Sequence, residues 1–211
     1  MTKELDISTW SRKEHFEFFK SFEEPFFGLT VEVDCTKAYA YCKRNELSFF
    51  LYYLHASLKA ANMIEEFKYR ILGEKVLIHD HIDASPTINR DDGTFGFSYI
   101  QYCDDFNDFV VGAQLEIDRV RNGSGLIPAV SGENVIHYSS LPWLKFTSLS
   151  HARSFTFHDS CPKVSFGKMT ESNNSLSMPV SVHVHHALLD GLHVGIFIKN
   201  FENLMNEKLK R

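Results

Sequence analysis

The stretch MPVSVHVHHALLDGLHVGIF, Met178 to Phe197, decides the reading of the chain. In its first half Val180, Val182 and Val184 fall on one face while Ser181, His183 and His185 fall on the other, the period of a half-buried strand. After Asp190 the apolar residues Val194, Phe197, Ile198, Phe201, Leu204 and Met205 recur at the spacing of one helix face. The pair His185-His186 therefore stands where a strand gives way to a turn and a helix begins. Such a junction holds an imidazole rigidly and leaves one ring nitrogen open to a cleft.

Elements upstream supply what this strand and helix pack against. LTVEVD alternates Leu29, Val31 and Val33 against Thr30, Glu32 and Asp34, a second strand with one buried face. SFFLYYLHASLKAANMI from Ser48 is apolar all round and reads as a helix covered on several sides. Ser11 and Glu14 have capping-box spacing ahead of RKEHFEFFKSF, which predicts a first helix carrying Phe16, Phe19 and Phe22 up to Pro25. A short helix fits Lys37 to Lys43, and a longer one starts at Asp105 and stops at Asn122-Gly123. Hairpins are expected around Gly73-Glu74, at Asp92-Gly93, and between Lys163–Met169 and Leu176–His186; NVIHYSS reads as a strand before the aromatic turn LPWLKF. The segment up to Glu133, with Pro128, reads as irregular. Helices alternating with runs of strands predict an α/β fold, a two-layer sandwich with a mixed sheet, in one domain spanning 1-211.

Composition narrows the function. The 211 residues include 44% hydrophobic and 23% charged, ordinary for a globular protein with a substantial core. Nineteen Phe against two Trp point to thick aromatic packing or a ring-lined pocket. A net charge of −5 gives no electrostatic footprint for nucleic acid. Cys35, Cys42, Cys103 and Cys161 form no C-x-x-C pair, and MTKELDIST lacks a signal peptide's apolar core, so a reducing cytoplasm is expected. No apolar run approaches the ~20 residues that span a bilayer.

The chemistry concentrates in HHALLDG. A neutral imidazole accepts a proton near neutral pH, which makes a positioned histidine a natural general base. Asp190 reads either as the cap of the following helix or as the partner of a distant arginine that locks the turn. His183, His185, His186, Asp190 and His193 suffice by count for a metal, but H-x-H-H is no closed ligand spacing and no cysteine joins it; no metal is expected.

HHALLDG with LHV, after the SVHVH strand, closely resembles the signature of the chloramphenicol acetyltransferase family. TWSRKEHFEFF at Thr9 to Phe19 is similar to that family's W-x-R-x-E-H-F block, SSLPWLKFTS at Ser139 to Ser148 to its S-x-x-P-W-V-x-F-x-S segment, and VSFGKM at Val164 to Met169 to its threonine followed by M-x-K. The resemblance implies a CoA-dependent acyltransferase fold, a sheet largely antiparallel and covered by helices, and a cytoplasmic homotrimer with sites between subunits. It implies acetyl-CoA as cosubstrate and chloramphenicol as acceptor, hence antibiotic resistance. His186 matches the general base, Ser139 the oxyanion serine, and Ser165 the threonine that binds a water. Asp190 and Arg12 match a structural ion pair, and Trp143 borders the coenzyme channel. Phe19 stands where the acceptor pocket often has a tyrosine, Phe27 matches a pocket phenylalanine, Phe97 replaces a small residue, and His151 replaces a leucine. The wall for the acceptor has thus changed while the catalytic set is kept. Transfer to another hydroxyl or to a lipoyl-like thiol is an alternative, as is a non-catalytic trimeric binder.

Overall fold

A computed structural model describes residues 2–126, 132–154, 156 and 159–206. Its main sheet runs in the order β2 (Phe26–Asp34), β10 (Ser175–His185), β8 (Lys163–Phe166), β7 (Val135–Ser140), β5 (Asp83–Asn89), β6 (Phe95–Phe97), with β9 (Thr170–Ser172) pairing on β10. Pairs β2–β10, β8–β10, β9–β10 and β5–β6 are antiparallel, while β5–β7 and β7–β8 are parallel, so the sheet is mixed as the sequence predicts. A second sheet joins β1 (Thr2–Glu4), β4 (Lys75–His79) and β3 (Tyr69–Leu72).

One face of the main sheet is the core. Ile136, Tyr138, Val164, Phe166, Val180, Val182 and Val184 are buried in it. The helices α3 (Phe49–Asn62) and α5 (Gly191–Asn206) belong to the same core, α5 through Val194, Phe197, Phe201 and Met205. Fully burying one such side chain stabilises by about 1.5–3 kcal/mol, so this face dominates the fold. The hydroxyl of Tyr138 meets Ser57 of α3 at 3.2 Å, which keeps a buried polar group partnered. The expected starts of two helices hold: Ser48 Oγ accepts the Leu51 N–H, and the Asp105 carboxylate, ahead of α4 (Phe106–Asn122), accepts those of Asn107 and Asp108. Ahead of both in sequence, α2 (Thr36–Arg44) covers the expected short helix.

Three local expectations change. The first helix, α1 (Lys13–Phe19), begins after Arg12 with no side-chain cap, so Ser11 makes no capping box, and Phe22 lies beyond its end. Arg12 is instead tied to the far end of the chain, as described below. The polar tripeptide of β1 is exposed on every residue and carries no period to read. The hairpin at Asn173-Asn174 joins β9 rather than β8 to β10; both asparagines take positive φ (50° and 60°), which Asn tolerates better than most residues. Gly73, at φ +59°, turns β3 into β4 in a conformation that suits glycine. The irregular segment expected up to Glu133 falls partly, at 127–131, outside the described residues. Among the described residues no helix is long and apolar enough to cross a membrane.

Candidate active site

The sheet's second face is polar. Register sets Ser181 opposite Ser165 and Ser165 opposite Ser139; one pair further along, His183 lies opposite Lys163 and Lys163 opposite His137. Directly paired residues share a face, so these side chains stand on the side away from α3 and α5. Phe97 pairs with Thr87, two residues beyond Ser85, which itself pairs with His137, so Phe97 belongs to the same face. Ser165 is fully buried, and its hydroxyl has no hydrogen-bond partner. A buried unmade hydrogen bond costs about 1–3 kcal/mol, so this hydroxyl is poised to take a water or a ligand. His151 meets His183 edge-on at 4.8 Å, and its Nε2 is likewise buried without a partner. Trp143, after Pro142, is 63% exposed, so its ring lies on the surface rather than in the core.

His186 sits at the end of β10 with its imidazole constrained on several sides. Its backbone N–H donates to Pro25 O at 2.8 Å. The ring stacks on Phe19 (centroids 4.1 Å apart) and leans on Phe27 at 4.6 Å. Its Nδ1 lies 3.1 Å from the Leu189 carbonyl oxygen. A carbonyl only accepts, so Nδ1 carries the hydrogen and, in the neutral ring, Nε2 is left with its lone pair.

Both sequence readings of Asp190 are realised together. One carboxylate oxygen takes the Leu192 N–H (3.0 Å) at the start of α5 and lies 2.8 Å from His193 Nδ1; the other takes the Arg12 guanidinium. Burial pushes its carboxyl up, but Arg12 and His193 outweigh this and hold it below the ordinary value. Arg12 also reaches the His186 carbonyl oxygen at 3.5 Å. The ion pair thus braces the turn that carries His186 without touching the imidazole.

The motif histidines do not converge on a common point. His183 faces Ser181 (3.4 Å), His185 lies against Phe26, and His193 turns to Asp190. Among the described residues, the side chains with metal-ligand atoms drawn together are His137, Asp159 and Cys161. The Asp159 carboxylate is already held by the Lys163 ammonium and by the Cys161 N–H at 2.7 Å. Burial, followed by Lys163, pushes His137 down to about 4. Sequence reading missed this cluster. His137 and Lys163 had a signal, as polar residues on strands, but Asp159 lies in irregular chain with none.

Named residues therefore fall into two groups: His186, Phe19, Phe27, Arg12 and Asp190 at one end of β10, and Ser139, Ser165, Phe97 and His151 on the polar face. Five residues separate Ser181 from His186, roughly 16 Å of strand at about 3.3 Å each. Ser139 lies two strands across from Ser181, about 10 Å away at 4.8 Å per strand. Ser139 and His186 of one chain are thus on the order of 19 Å apart, beyond the reach of both side chains.

The architecture is that of the CoA-dependent acyltransferases. A solved chloramphenicol acetyltransferase superposes with a TM-score of 0.90 at 34% identity, covering 97% of this chain and 100% of its own. A probable dihydrolipoamide acetyltransferase from Listeria monocytogenes shares the fold at TM-score 0.67 and 17% identity, covering 94% and 92%. The family model for chloramphenicol acetyltransferase matches residues 2–202. Chloramphenicol acetyltransferase 3 of Escherichia coli is 30% identical over 98% of both chains, and chloramphenicol acetyltransferase 2 of Haemophilus influenzae 27% identical over 98% of both. This chain belongs to the chloramphenicol acetyltransferase family, and it is an acyltransferase.

Proposed function

We propose that the protein transfers the acetyl group of acetyl-CoA to a hydroxyl of chloramphenicol, with His186 as general base. The observation that carries this reading is the Nδ1 contact to Leu189, which fixes the tautomer and leaves Nε2 as a proton acceptor. Nε2 takes the proton of the acceptor hydroxyl, whose oxygen attacks the thioester carbonyl. The Ser139 hydroxyl donates to the resulting oxyanion, and a water held by Ser165 adds a second contact. Collapse breaks the C–S bond, and the departing thiolate receives the proton from Nε2. The products are the O-acetyl ester and free CoA, with no acyl-enzyme. Phe19 and Phe27 orient the base and border the acceptor together with Phe97 and His151. The exposed ring of Trp143 offers a surface for the coenzyme. The one-domain reading of 1-211, a cytoplasmic location and a role in antibiotic resistance accompany this proposal.

The roughly 19 Å between Ser139 and His186 in one chain supports a site shared between subunits, and we take the assembly to be a homotrimer. His186 of one copy then faces Ser139 of the next. The test is thiol release from acetyl-CoA with and without chloramphenicol, beside the His186→Ala variant. Chloramphenicol-dependent release that vanishes in a folded variant is expected. Release that persists in the variant refutes the assignment of the base.

A further inference from the structure

Asp190 has a second side-chain neighbour besides Arg12. His193 is the third residue of α5, and its side chain is 11% exposed. Its Nδ1 lies 2.8 Å from the Asp190 carboxylate and 3.1 Å from the Asp190 backbone nitrogen. An N–H only donates and a carboxylate only accepts, so the two contacts exclude each other. With a hydrogen, Nδ1 serves the carboxylate. Without one it serves the amide, in the manner of a capping box whose third helical residue reaches back. Either bond ends on Asp190. The other ring nitrogen, Nε2, lies 3.6 Å from a carboxylate oxygen of Glu66, in the short helical turn Glu65–Lys68. Phe67, the next residue of that turn, is fully buried and stacks on Phe197 of α5 with ring centres 5.0 Å apart. The imidazole thus stands between a turn anchored in the core and the residue that braces His186.

We propose that His193 is a positioning residue for the general base. Its bond fixes where Asp190 stands, and Asp190, with Arg12, fixes the turn that begins at His186. Leu189, whose carbonyl oxygen meets the His186 Nδ1, is the residue before Asp190 in that turn. A drift of Asp190 therefore moves the acceptor that selects the His186 tautomer and carries the ring off its seat between Phe19 and Phe27. Glu66, facing Nε2, keeps the imidazole from swinging away from Asp190. His193 acts through Asp190, since its polar contacts run to Asp190 and Glu66 rather than to the His186 ring. The inference rests on the assignment of His186 as the base.

Three replacements separate positioning from packing. His193→Asn puts an amide close to the place of Nδ1 and keeps a bond to Asp190. His193→Gln puts its amide near the place of Nε2 and reaches Glu66 instead, while His193→Phe keeps the ring volume and loses every bond. Thiol release measured over both substrates should show kcat lowered about 10- to 100-fold in the phenylalanine and glutamine variants, with KM little changed, and most of it restored in the asparagine variant. An unchanged kcat in the phenylalanine variant, or an asparagine variant no better than it, assigns His193 to packing and overturns the proposal. The place of the base is also read without turnover, by magnetic resonance of protein carrying isotope-labelled histidine. The His186 ring signal, assigned by its loss in His186→Ala, is displaced by the Phe19 ring stacked on it at 4.1 Å. That signal should move in the phenylalanine and glutamine variants and stay in the asparagine one; a signal that stays in all three refutes the positioning role. Should the phenylalanine variant not fold, the glutamine variant carries the same expectations. A signal that moves in a protein without His186-dependent turnover sinks the acetylation reading and leaves the positioning role standing. His186-dependent turnover, with kcat and signal unaltered in the phenylalanine variant, does the reverse.

Discussion

Asp190→Ala tests whether the ion pair acts on the fold of the turn or on the base itself. The substitution removes the acceptor of the Leu192 N–H, a helix-start contact worth about 1 kcal/mol. It also strands the Arg12 guanidinium, whose side chain is 13% exposed against 32% for Asp190. Breaking a fully buried pair costs about 3–5 kcal/mol, and this partly wetted one about 2. Together the loss is near 3 kcal/mol, or a Tm lowered by about 6–12 °C for a chain of this size. Asp190→Asn keeps an oxygen for Leu192 and loses only the charge, so about 1–2 kcal/mol is expected. Because neither carboxylate oxygen touches the His186 ring, activity should fall through displacement of the turn. A shift near 1 Å costs about 100-fold in rate for the alanine variant, with less for asparagine. Scanning calorimetry gives the Tm, and initial rates of thiol release across pH give kcat/KM and its profile. The pH profile should keep its shape in both variants. An asparagine variant as inactive as the alanine one, at undiminished Tm and with a displaced profile, would refute the bracing role and make Asp190 a direct partner of the base.

Ser139→Ala is expected to lower kcat by about 100- to 1000-fold with little change in KM, because an oxyanion contact exists only in the transition state; steady-state rates over chloramphenicol and acetyl-CoA check it. Ser165→Ala deletes a buried hydroxyl that has no partner, so Tm should hold or rise while kcat falls, and a matching loss of both would contradict the poised-hydroxyl reading. Gly28→Ala places a Cβ 2.2 Å from the His183 ring, which is itself in edge-on contact with His151, so a loss of about 2 kcal/mol is expected by denaturant titration. His185, His137 and His151 are each pushed to about 4 by burial first, against an ordinary 6.5. Between those values the unfolded chain binds more protons than the folded one, so their stabilisation is complete above about 6.5 and is lost as pH falls toward about 4. Denaturant midpoints across pH 4 to 7 should fall steadily on the acid side, and a flat curve would count against it.

How much of this was legible in the sequence follows from period. β10 shows period two so cleanly that both faces of the sheet, the apolar core and the row with Ser181, His183 and His185, are written in one eleven-residue strand. α3 and α5 were legible for the same reason, one apolar all round and the other along a stripe. Ser11 misled because capping spacing is a local rule, and Arg12 answers to Asp190, 178 residues away. The Asp159–Lys163 pair was only half legible, because Lys163 sits on a strand while Asp159 lies in irregular chain. A charged residue between Pro162 and Val164 reads as a strand edge until register sets it between His137 and His183.

Register also bears on why the base sits where it does. In the proposed mechanism the base keeps its lone pair free until the acceptor arrives, and the acceptor lies between it and the oxyanion donor. His186 lies past the end of β10, and Ser139 two strands across and several residues back, so the two do not meet within one chain. The aromatic clamp of Phe19 and Phe27 and the Leu189 carbonyl then spend the ring's other contacts on orientation alone. In the proposed homotrimer a neighbouring copy bridges the separation that the sheet geometry sets between His186 and Ser139 of one chain.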